Sequence, residues 1–530
     1  MGEKEFNLLK EPWIRVLTSD LEVREVSLAE ILIHADKYKS LAGEMPTQDV
    51  AVLRLLLACM QTIFYRYDAD GEEADICEGS YEDVLERWEN YWIKGKFSEE
   101  CILEYFKKYE ERFWLFHPET PFYQVAGLAY GTDYQAQSLY GNLKSSNNRE
   151  TKYHFSQCEG ENVKKISYSE AARWLLNLNG FGVNVKADKK APGTTEAAGT
   201  GRLGSLGLIY VEGENLFELI MLNLTPLTED NEPWGEPYPI WEQPIRSKQS
   251  IEIAPPDNLP ELYTIQSRRI LLKRTDGYVT GFRAMNGDHY PVEDDFTEQM
   301  TVWKKHEEKK KIYYTPRKHS PEIQAWREFP SIFNTNEDSH TPGVVKWINT
   351  VYSSGLDIGK DLITFKTAGL QYGGGMSYTY GECLSDGITL SSELLRNFSR
   401  EWMTLITDEI EKCRQVSVKA IKKFSEKIEE ILNQDKLSAK LSIRLSGEYY
   451  SLIDYPFRDW LAGIKPDKGQ KEAQISKWEK ISYRMAVQVA ENYIDTLKND
   501  IYKFHDNGKR ITSIPEAYNE YLWKIGTIYK

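Results

Sequence analysis

The residues after about Ser391 follow a helical period that constrains the fold more than any other feature of the sequence. Apolar side chains recur there every three or four positions, which places them on one face of a helix: Leu395, Phe398, Trp402, Leu405, Ile406, Ile410, Cys413, Val416, Ala420, Phe424, Ile428 and Ile431. Three more helices are predicted over about 443–463, with a bend at Pro456, over about 469–498, and after Pro515 to the end. Four helices with short links predict an antiparallel four-helix bundle over residues 386–530.

Residues 1–385 show no such long period and mix short strands, helices and loops. A chain of 530 residues is too long for one simple core, so at least two domains are expected. The predicted fold class is therefore α+β: a large mixed α/β N-terminal domain over 1–385, followed by the helical bundle.

Local signals predict several elements of the N-terminal domain. Alternation and turn residues predict a hairpin over 13–26, with Ser27 capping the next helix and Thr47 capping a helix through about Tyr65. The most apolar run, 50–64, is shorter than the roughly 18–20 residues that a membrane-spanning helix needs, so it is predicted to be a buried core helix. The segments that follow are predicted as a long loop over 128–168, a helix over 169–178 and strand-like chain over 209–224.

The charge distribution limits how this chain could bind nucleic acid. Its net charge is −15, which opposes a protein-wide attraction for phosphate. Residues 391–530 carry 24 basic against 21 acidic residues, and the other 390 residues carry 42 against 60. Any nucleic-acid site must therefore be a set of local basic patches.

The six cysteines contain no CxxC pair, which argues against a zinc ribbon and a disulfide framework. They are expected to be reduced thiols of a cytoplasmic protein, and the N-terminus has no apolar signal core. The sequence predicts neither a cofactor nor a metal ion, and no membrane association.

A glycine-rich segment spans residues 180–207 and contains Gly199-Thr200-Gly201-Arg202-Leu203-Gly204, which matches GxGxxG. A dinucleotide-binding turn would need a strand before the motif and a helix starting on it, and neither is predicted. The glycines could instead let the backbone approach another molecule closely, or form a flexible linker.

Two further segments allow a nucleic-acid interpretation and a plain structural one. Residues 304–318 combine lysines with Tyr313 and Tyr314, which suits phosphate contacts but also an exposed hairpin. Gln371-Tyr372-Gly373-Gly374-Gly375-Met376 could place Tyr372 or Met376 as a wedge between bases, or could be a simple β-turn.

Enzyme signatures are weak. His505-Asp506 resembles a metal dyad, but it contains the only histidine of residues 391–530 and is expected to lie in an exposed loop. No HExxH, P-loop or GxSxG motif occurs. The sequence therefore gives little support to an enzyme.

An ordered set of motifs resembles the CasA-type large subunit of type I-E CRISPR surveillance complexes (Cascade) over nearly the whole chain. The motifs are Phe6-Asn7-Leu8-Leu9-Lys10-Glu11-Pro12-Trp13-Ile14, Glu25-Val26-Ser27-Leu28, Gly43-Glu44-Met45-Pro46-Thr47-Gln48-Asp49, Phe116 to Val125, Trp241-Glu242-Gln243-Pro244 and Gln266-Ser267-Arg268-Arg269. Each motif is moderately specific, and their order and spacing carry the resemblance.

The resemblance implies a non-enzymatic role in an RNA-guided complex. Such a subunit reads the protospacer-adjacent motif in double-stranded target DNA, mainly from the minor groove, and helps to unwind the duplex. It contacts other Cascade subunits and the guide RNA, and it recruits a helicase–nuclease. The rest of the target is read by base pairing.

The resemblance also places the family's functional elements on this sequence. The glycine loop corresponds to Gly193, Thr194, Thr195, Ala197, Ala198, Gly199 and Gly201. The minor-groove lysine corresponds to Lys304 or Lys305, with Lys309 in the same basic segment, and the strand-separating wedge to Gln371, Tyr372, Gly373, Gly374, Gly375 and Met376. A loop that reaches towards the guide RNA corresponds to His154, Phe155, Ser156 and Gln157.

The chain also departs from the family. It lacks the two CxxC pairs of some members, carries Glu196 in the glycine loop, and has glycines where a close relative has amide side chains in the wedge. Motif preference and wedge chemistry are therefore expected to differ. Two alternatives remain at this point: a metal-dependent nucleic-acid hydrolase and a purely structural scaffold subunit.

Overall fold

A computed structural model describes residues 3–143, 164–183, 185, 199–245, 251–309, 311–333, 340–356, 358–373, 380–396, 400–466, 470–506, 508 and 511–530. The chain divides into two compact units. The first comprises Met1–Ile323, Asn336–Ile358 and Phe365–Gly387, and the second comprises Gln324–Thr335, Gly359–Thr364 and Ile388–Lys530. The predicted α+β fold class, with a helical C-terminal region, is confirmed.

The described strands form small antiparallel sheets and hairpins. In chain order they are β1 Glu5–Asn7, β2 Ile14–Thr18, β3 Val23–Val26, β4 Tyr38–Leu41, β5 Trp114–Phe116, β6 Thr132–Gln135, β7 Leu208–Val211, β8 Arg268–Thr275, β9 Tyr278–Asn286, β10 Trp303–Glu308, β11 Lys311–Pro316, β12 Leu362–Tyr372, β13 Tyr380–Ser391, β14 Phe504–Asp506 and β15 Ile511–Ser513. The sheet orders are β1-β5, β3-β2-β4, β6-β9-β8, β13-β12-β7, β10-β11 and β14-β15.

The described α-helices are distributed over both units. In chain order they are α1 Leu28–Ile33, α2 Pro46–Arg66, α3 Tyr81–Lys94, α4 Glu99–Tyr109, α5 Tyr168–Phe181, α6 Leu216–Asn223, α7 Leu259–Tyr263, α8 Phe329–Ile332, α9 Gly343–Ser353, α10 Ser392–Arg396, α11 Arg400–Gln415, α12 Lys422–Leu432, α13 Leu437–Ala462, α14 Lys471–Thr496 and α15 Ile514–Ile528.

Helix α2 forms the centre of the first unit. It is long and apolar enough, by length and composition, to cross a membrane, but it is almost entirely buried inside the protein. The prediction of a buried core helix is confirmed. The predicted cap is wrong: Pro46 occupies the first turn after Met45, and Thr47 lies inside the helix, where its hydroxyl accepts a hydrogen bond from Asn177 at 3.0 Å. Proline suits the first helical turn because its missing N–H would have no intrahelical acceptor there.

Other local predictions have mixed outcomes. The hairpin of β2 and β3 is confirmed, as is Ser27, whose side chain caps α1. The predicted long loop is wrong where strand β6 and the 3₁₀ turns over Ala136–Leu143 lie. The prediction of strand-like chain holds for β7 but is wrong for α6, which begins at the side-chain cap Asn215. A short, continuously apolar run fits a buried strand and a buried helix equally well, so the cap and the packing decide.

The four predicted C-terminal helices are confirmed in the second unit. The first predicted helix corresponds to α11 and α12 together, because one π-helical turn over Val416–Ile421 joins them. Helices α13, α14 and α15 follow, and Pro456 lies inside α13, which continues to Ala462. Short links between neighbouring helices make their packing antiparallel.

A buried polar contact connects these four helices. The Ser482 hydroxyl of α14 forms hydrogen bonds with the Tyr449 hydroxyl of α13 at 2.7 Å and with the Tyr529 hydroxyl, just after α15, at 2.5 Å. The Cys413 thiol of α11 lies 3.7 Å from the same hydroxyl. Because a displaced helix would leave a buried hydroxyl without its partner, this contact favours one register of the bundle.

Glu409 of α11 is expected to make the stability of the second unit depend on pH. The side chain is buried, and one carboxylate oxygen accepts a hydrogen bond from Lys412 at 2.7 Å. Burial outweighs this contact and raises the pKa of Glu409 to about 7. The folded-state pKa of Glu409 therefore lies above its unfolded value of about 4.3. The contribution of Glu409 to stability is fully present below the unfolded pKa, and it is lost as the pH rises through about 7.

The substitution Glu409→Gln should therefore remove a loss of about 3–4 kcal/mol between pH 4 and pH 8, given about 1.4 kcal/mol per pKa unit. Urea unfolding of the full chain, followed by circular dichroism across this pH range, measures the difference. Glu411→Gln is the matched control, because Glu411 lies on the same helix but pairs with Arg414, which lowers its pKa. Identical pH profiles for the wild type and Glu409→Gln would contradict the prediction.

Candidate nucleic-acid interface

The C-terminal end of the glycine-rich segment packs directly on the last turn of α5. The backbone N–H of Gly201 donates a hydrogen bond to the Gly182 carbonyl at 2.8 Å. A Cβ at Gly201 would lie 2.4 Å from the Gly180 carbonyl oxygen, so no larger residue fits there without a backbone shift. The following Leu203–Ser205 is a single 3₁₀ turn that leads into strand β7, which excludes the dinucleotide-binding interpretation.

Arg268, at the start of β8, connects the two sides of this segment. Its guanidinium donates to the Gly182 carbonyl at 2.7 Å and to the Gly199 carbonyl at 2.9 Å, and also to the Val183 carbonyl at 3.2 Å. The side chain is buried, so these carbonyl oxygens replace the hydrogen bonds that water would supply. Arg268 therefore holds the backbone at Gly182 and the backbone at Gly199 close together.

Sequence reasoning missed the role of Arg268, although this residue belongs to one of the motifs that carry the resemblance. An arginine at the start of a strand is an ordinary surface pattern, and its acceptors lie about 70 to 86 positions away in the chain. Only the tertiary structure brings them within hydrogen-bond distance.

The basic segment forms a two-stranded hairpin of β10 and β11, and its lysines do not share one face. Lys304 pairs across the hairpin with Thr315, and Lys305 pairs with Tyr314. Neighbouring residues of a strand point to opposite faces. The face of Lys305 also carries Tyr314, whose ring packs edge-on against Phe296, and therefore faces the core. Lys304 is exposed on the opposite face.

Tyr372, at the end of β12, touches the same region. Its hydroxyl donates a hydrogen bond to the Phe181 carbonyl at 2.7 Å, and a Cβ at Gly204 would lie 2.2 Å from that hydroxyl. The ammonium of Lys318, which follows β11, lies 5.2 Å from the centre of the Tyr372 ring. Within the predicted wedge, Tyr372 therefore contacts both the end of α5 and Lys318, the residue at the exit of the hairpin.

These elements surround a cavity of about 240 Å³, here called the basin. It is lined by Gly199, Thr200, Arg202, Ser205, Ile265, Ser267, Arg268, Asp288, His289, Tyr290, Val292 and Lys318. The exit of the hairpin reaches the basin through Lys318, two residues after the end of β11. Three segments that are distant in sequence thus meet at one place in the first unit.

Several predicted site residues lie outside the described part of the chain. They are Gly193, Thr194, Thr195, Ala197 and Ala198 of the glycine loop, Gly374, Gly375 and Met376 of the wedge, and the guide-RNA loop residues His154, Phe155, Ser156 and Gln157. The described members are Gly199, Gly201, Lys304, Lys305, Lys309, Gln371, Tyr372 and Gly373. Lys309 occupies the hairpin turn with a φ of 57°.

One cluster of possible metal ligands lies on the surface of the first unit. Among the described residues, one group of three has its donor atoms within 4.8 Å of one another: Asp75, Cys77 and Glu236. Burial raises the pKa of Cys77 to about 12, so the thiol stays protonated near neutral pH, and Arg66 pairs with Glu236 at 2.9 Å. His505 and Asp506 lie in strand β14, not in a loop as expected.

Comparison with known proteins identifies the family. The family model for the CRISPR-associated protein Cse1 matches residues 7–489. The chain belongs to the Cse1 family. The resemblance to CasA-type subunits is thereby confirmed. A CasA/Cse1 protein of Thermus thermophilus is 32% identical over 283 residues, and the match spans about half of each chain, 52% of this one and 51% of the relative.

Solved Cse1 structures share the fold of the whole chain. Cse1 of Thermobifida fusca superposes with a TM-score of 0.80 at 23% identity, covering 99% of this chain and 98% of that one. Cse1 of Acidimicrobium ferrooxidans gives a TM-score of 0.76 at 22% identity, covering 100% and 99%. A chain of a CRISPR RNA-guided surveillance complex gives 0.73 at 15% identity and covers 100% of both.

Proposed function

We propose that this Cse1-family chain is the large subunit of a type I-E, RNA-guided CRISPR surveillance complex and that it recognises the protospacer-adjacent motif in double-stranded DNA. The observation that supports this most directly is the meeting of the glycine segment, the lysine hairpin and Tyr372 around one basin in the first unit. A fold match to a chain of an RNA-guided surveillance complex supports the assembly.

In this proposal each element has a physical task. The glycine segment lets the backbone approach the minor groove, because no Cβ stands between its amides and the DNA. The end of β12 and the residues after it separate the strands next to the motif, which costs a few kcal/mol per unstacked step. Pairing with the guide RNA then offsets that cost.

In the assembled complex the chain also has an RNA partner and a protein partner. Residues 154–157 contact the guide RNA. The assembled complex recruits a helicase–nuclease. The chain itself catalyses no reaction, and it acts in the cytoplasm. The Asp75, Cys77 and Glu236 group does not favour the metal-dependent hydrolase, since it contains no histidine and one of its carboxylates is already paired with Arg66.

Lys304 is the better candidate of the two lysines for the minor groove. It is exposed, and it forms no ion pair with any residue that the structure describes. Lys305 lies on the face of the hairpin that carries Trp303 and Tyr314, both of which pack on Phe296. A two-stranded ribbon presents only one of its faces to a groove, so one lysine must point away from the DNA.

Lys304→Met should therefore weaken duplex binding by the assembled complex about tenfold and reduce the slope of log K against log salt by about 0.9, the value for one phosphate contact. Lys305→Met is the matched control and should leave both quantities nearly unchanged. Filter binding at several salt concentrations measures the two slopes. Equal losses in the two variants would show that the hairpin does not approach DNA by its exposed face.

The test of the proposed function compares the complex assembled with and without this chain. Duplexes with randomised three-base flanks are bound at two salt concentrations, and the bound fraction is sequenced. We expect flank-dependent binding only when the chain is present. If flank preference survives without the chain, recognition lies elsewhere and the scaffold role is favoured. Cleavage of DNA by the chain with divalent metal alone would instead support the hydrolase.

A further inference from the structure

The basin carries more positive than negative groups on its walls. Arg202, Arg268 and Lys318 line it, with Asp288 as the single carboxylate among the residues that form its walls. Both oxygens of Asp288 are bound by the guanidinium of Arg269, one of them at 3.2 Å. Among the residues that line the basin, cations therefore outnumber carboxylates, and the one lining carboxylate is already paired with an arginine.

Arg202 has hydrogen-bonding capacity that its protein neighbours do not use. One terminal nitrogen donates to Asp295, and the guanidinium lies over the Tyr290 ring at 4.6 Å. Its Nε and its other terminal nitrogen are buried and have no acceptor among the described residues. Because an unmet buried donor costs on the order of 1–3 kcal/mol, such a group favours a ligand that brings acceptor oxygens.

Lys318 contributes a cation at the rim. Its ammonium lies over the Tyr372 ring, and partial burial lowers its pKa. A neighbouring anion would reverse that shift, since an opposite charge favours the protonated form. The position of this ammonium at the rim therefore suits a ligand of negative charge.

The remaining walls of the basin are apolar or aromatic. Ile265, Tyr290 and Val292 supply them. A cavity of about 240 Å³ is larger than a phosphate group requires. It therefore has room for the part of a ligand that is attached to the phosphate. A nucleotide has the same two parts as the lining of the basin: its phosphate suits the cations, and its sugar or base suits the apolar side chains.

We propose that the basin is a nucleotide site that binds one phosphate through Lys318 and Arg202. The sugar or base of the same nucleotide lies against the apolar wall. The phosphate belongs either to a nucleic-acid strand beside the Tyr372 wedge or to a free mononucleotide. The first source rests on the proposed function, and the second does not.

The test uses the full chain and three probes: AMP, inorganic phosphate and a short single-stranded DNA. Isothermal titration at low salt should show AMP binding, and Lys318→Met should weaken it at least about tenfold, the loss for about 1.4 kcal/mol. Val292→Trp, which fills the basin from its partly exposed rim, should abolish AMP binding without touching a charged group. Lys273→Met is the control, because Lys273 pairs with Asp133 at 2.9 Å and does not line the basin.

The probes separate the two sources. Displacement of AMP by the oligonucleotide identifies a strand phosphate as the ligand, whereas AMP binding without displacement identifies a free nucleotide. Inorganic phosphate should bind more weakly than AMP, because it leaves the apolar wall uncovered. No AMP binding, or AMP binding that both basin variants retain, overturns the proposal. Flank-dependent duplex binding is measured separately, so loss of the basin site and loss of motif recognition are distinguishable.

Discussion

Glu298→Ala is expected to destabilise the first unit by about 3–5 kcal/mol, the usual cost of removing one partner of a buried ion pair. Both carboxylate oxygens of Glu298 accept hydrogen bonds from Arg54 of α2, at 2.6 and 3.0 Å. Burial opposes the charge of Glu298, yet the positive charge of Arg54 prevails and lowers its pKa. The substitution would leave a buried guanidinium without the carboxylate that binds it, over the Tyr263 ring at 4.1 Å.

The same carboxylate also lies near the basin. Its second oxygen is 3.9 Å from Nε of Arg202, so its loss changes the charge around a basin residue as well as the core. We therefore expect tighter AMP binding in addition to lower stability, because the surroundings of Arg202 become more positive when this carboxylate is removed. A change in stability without any change in AMP binding would show that Glu298 acts on the fold alone.

Urea unfolding of the full chain measures the stability effect. Glu293→Ala is the control, because Glu293 pairs with Lys311 at 3.1 Å on the surface, where such a pair contributes at most about 1 kcal/mol. The double variant Arg54→Leu/Glu298→Leu should recover much of the loss, since it removes both buried charges together. Equal effects of Glu298→Ala and Glu293→Ala would contradict the interpretation of a buried pair.

Gly201→Ala is expected to weaken duplex binding by the assembled complex about tenfold or more, which corresponds to about 1.4 kcal/mol or more. The added Cβ would lie 2.4 Å from the Gly180 carbonyl oxygen and 2.5 Å from the Asn179 carbonyl oxygen. Both contacts are with backbone at the end of α5, so no side chain can rotate away. The glycine segment must move, and Thr200, which lines the basin, moves with it.

The same overpacking should lower stability by about 1–3 kcal/mol. Gly235→Ala is the matched control, because a Cβ at Gly235 meets no atom within 4 Å and this glycine has no positive φ. Binding of motif-containing and motif-free duplexes, measured beside urea unfolding, separates the two effects. If Gly201→Ala loses stability but keeps its binding, the position of the glycine segment does not govern recognition.

The sequence and the structure agree where one local pattern dominates. The apolar stripe after Ser391 and the apolar run in α2 were both long enough to be assigned with the right type of structure. They disagree where a short segment allows two structures, as in α6, which was expected to be strand-like and is a helix. Thr47 shows the same limit, since proline one position earlier moved the start of the helix.

The lysine hairpin shows how much of the candidate site was visible in advance. Its basic character and its tyrosines could be read from the sequence, and an exposed hairpin was one of the two interpretations. Which lysine faces solvent depends on the register of β10 with β11 and on the packing of Tyr314 against Phe296. Adjacent lysines look equivalent in a sequence, and a strand separates them because successive side chains alternate between its faces.

By itself, the sequence determined the family, the helical C-terminal region and the segments that hold the candidate site, because these depend on motif order and on local periodicity. Only the tertiary structure decided that Arg268 joins Gly182 to Gly199, and that Lys318 and Tyr372 meet beside the same basin. Those contacts join residues far apart in the chain. Their energies depend on burial and on distances of a few ångströms, which no local pattern specifies.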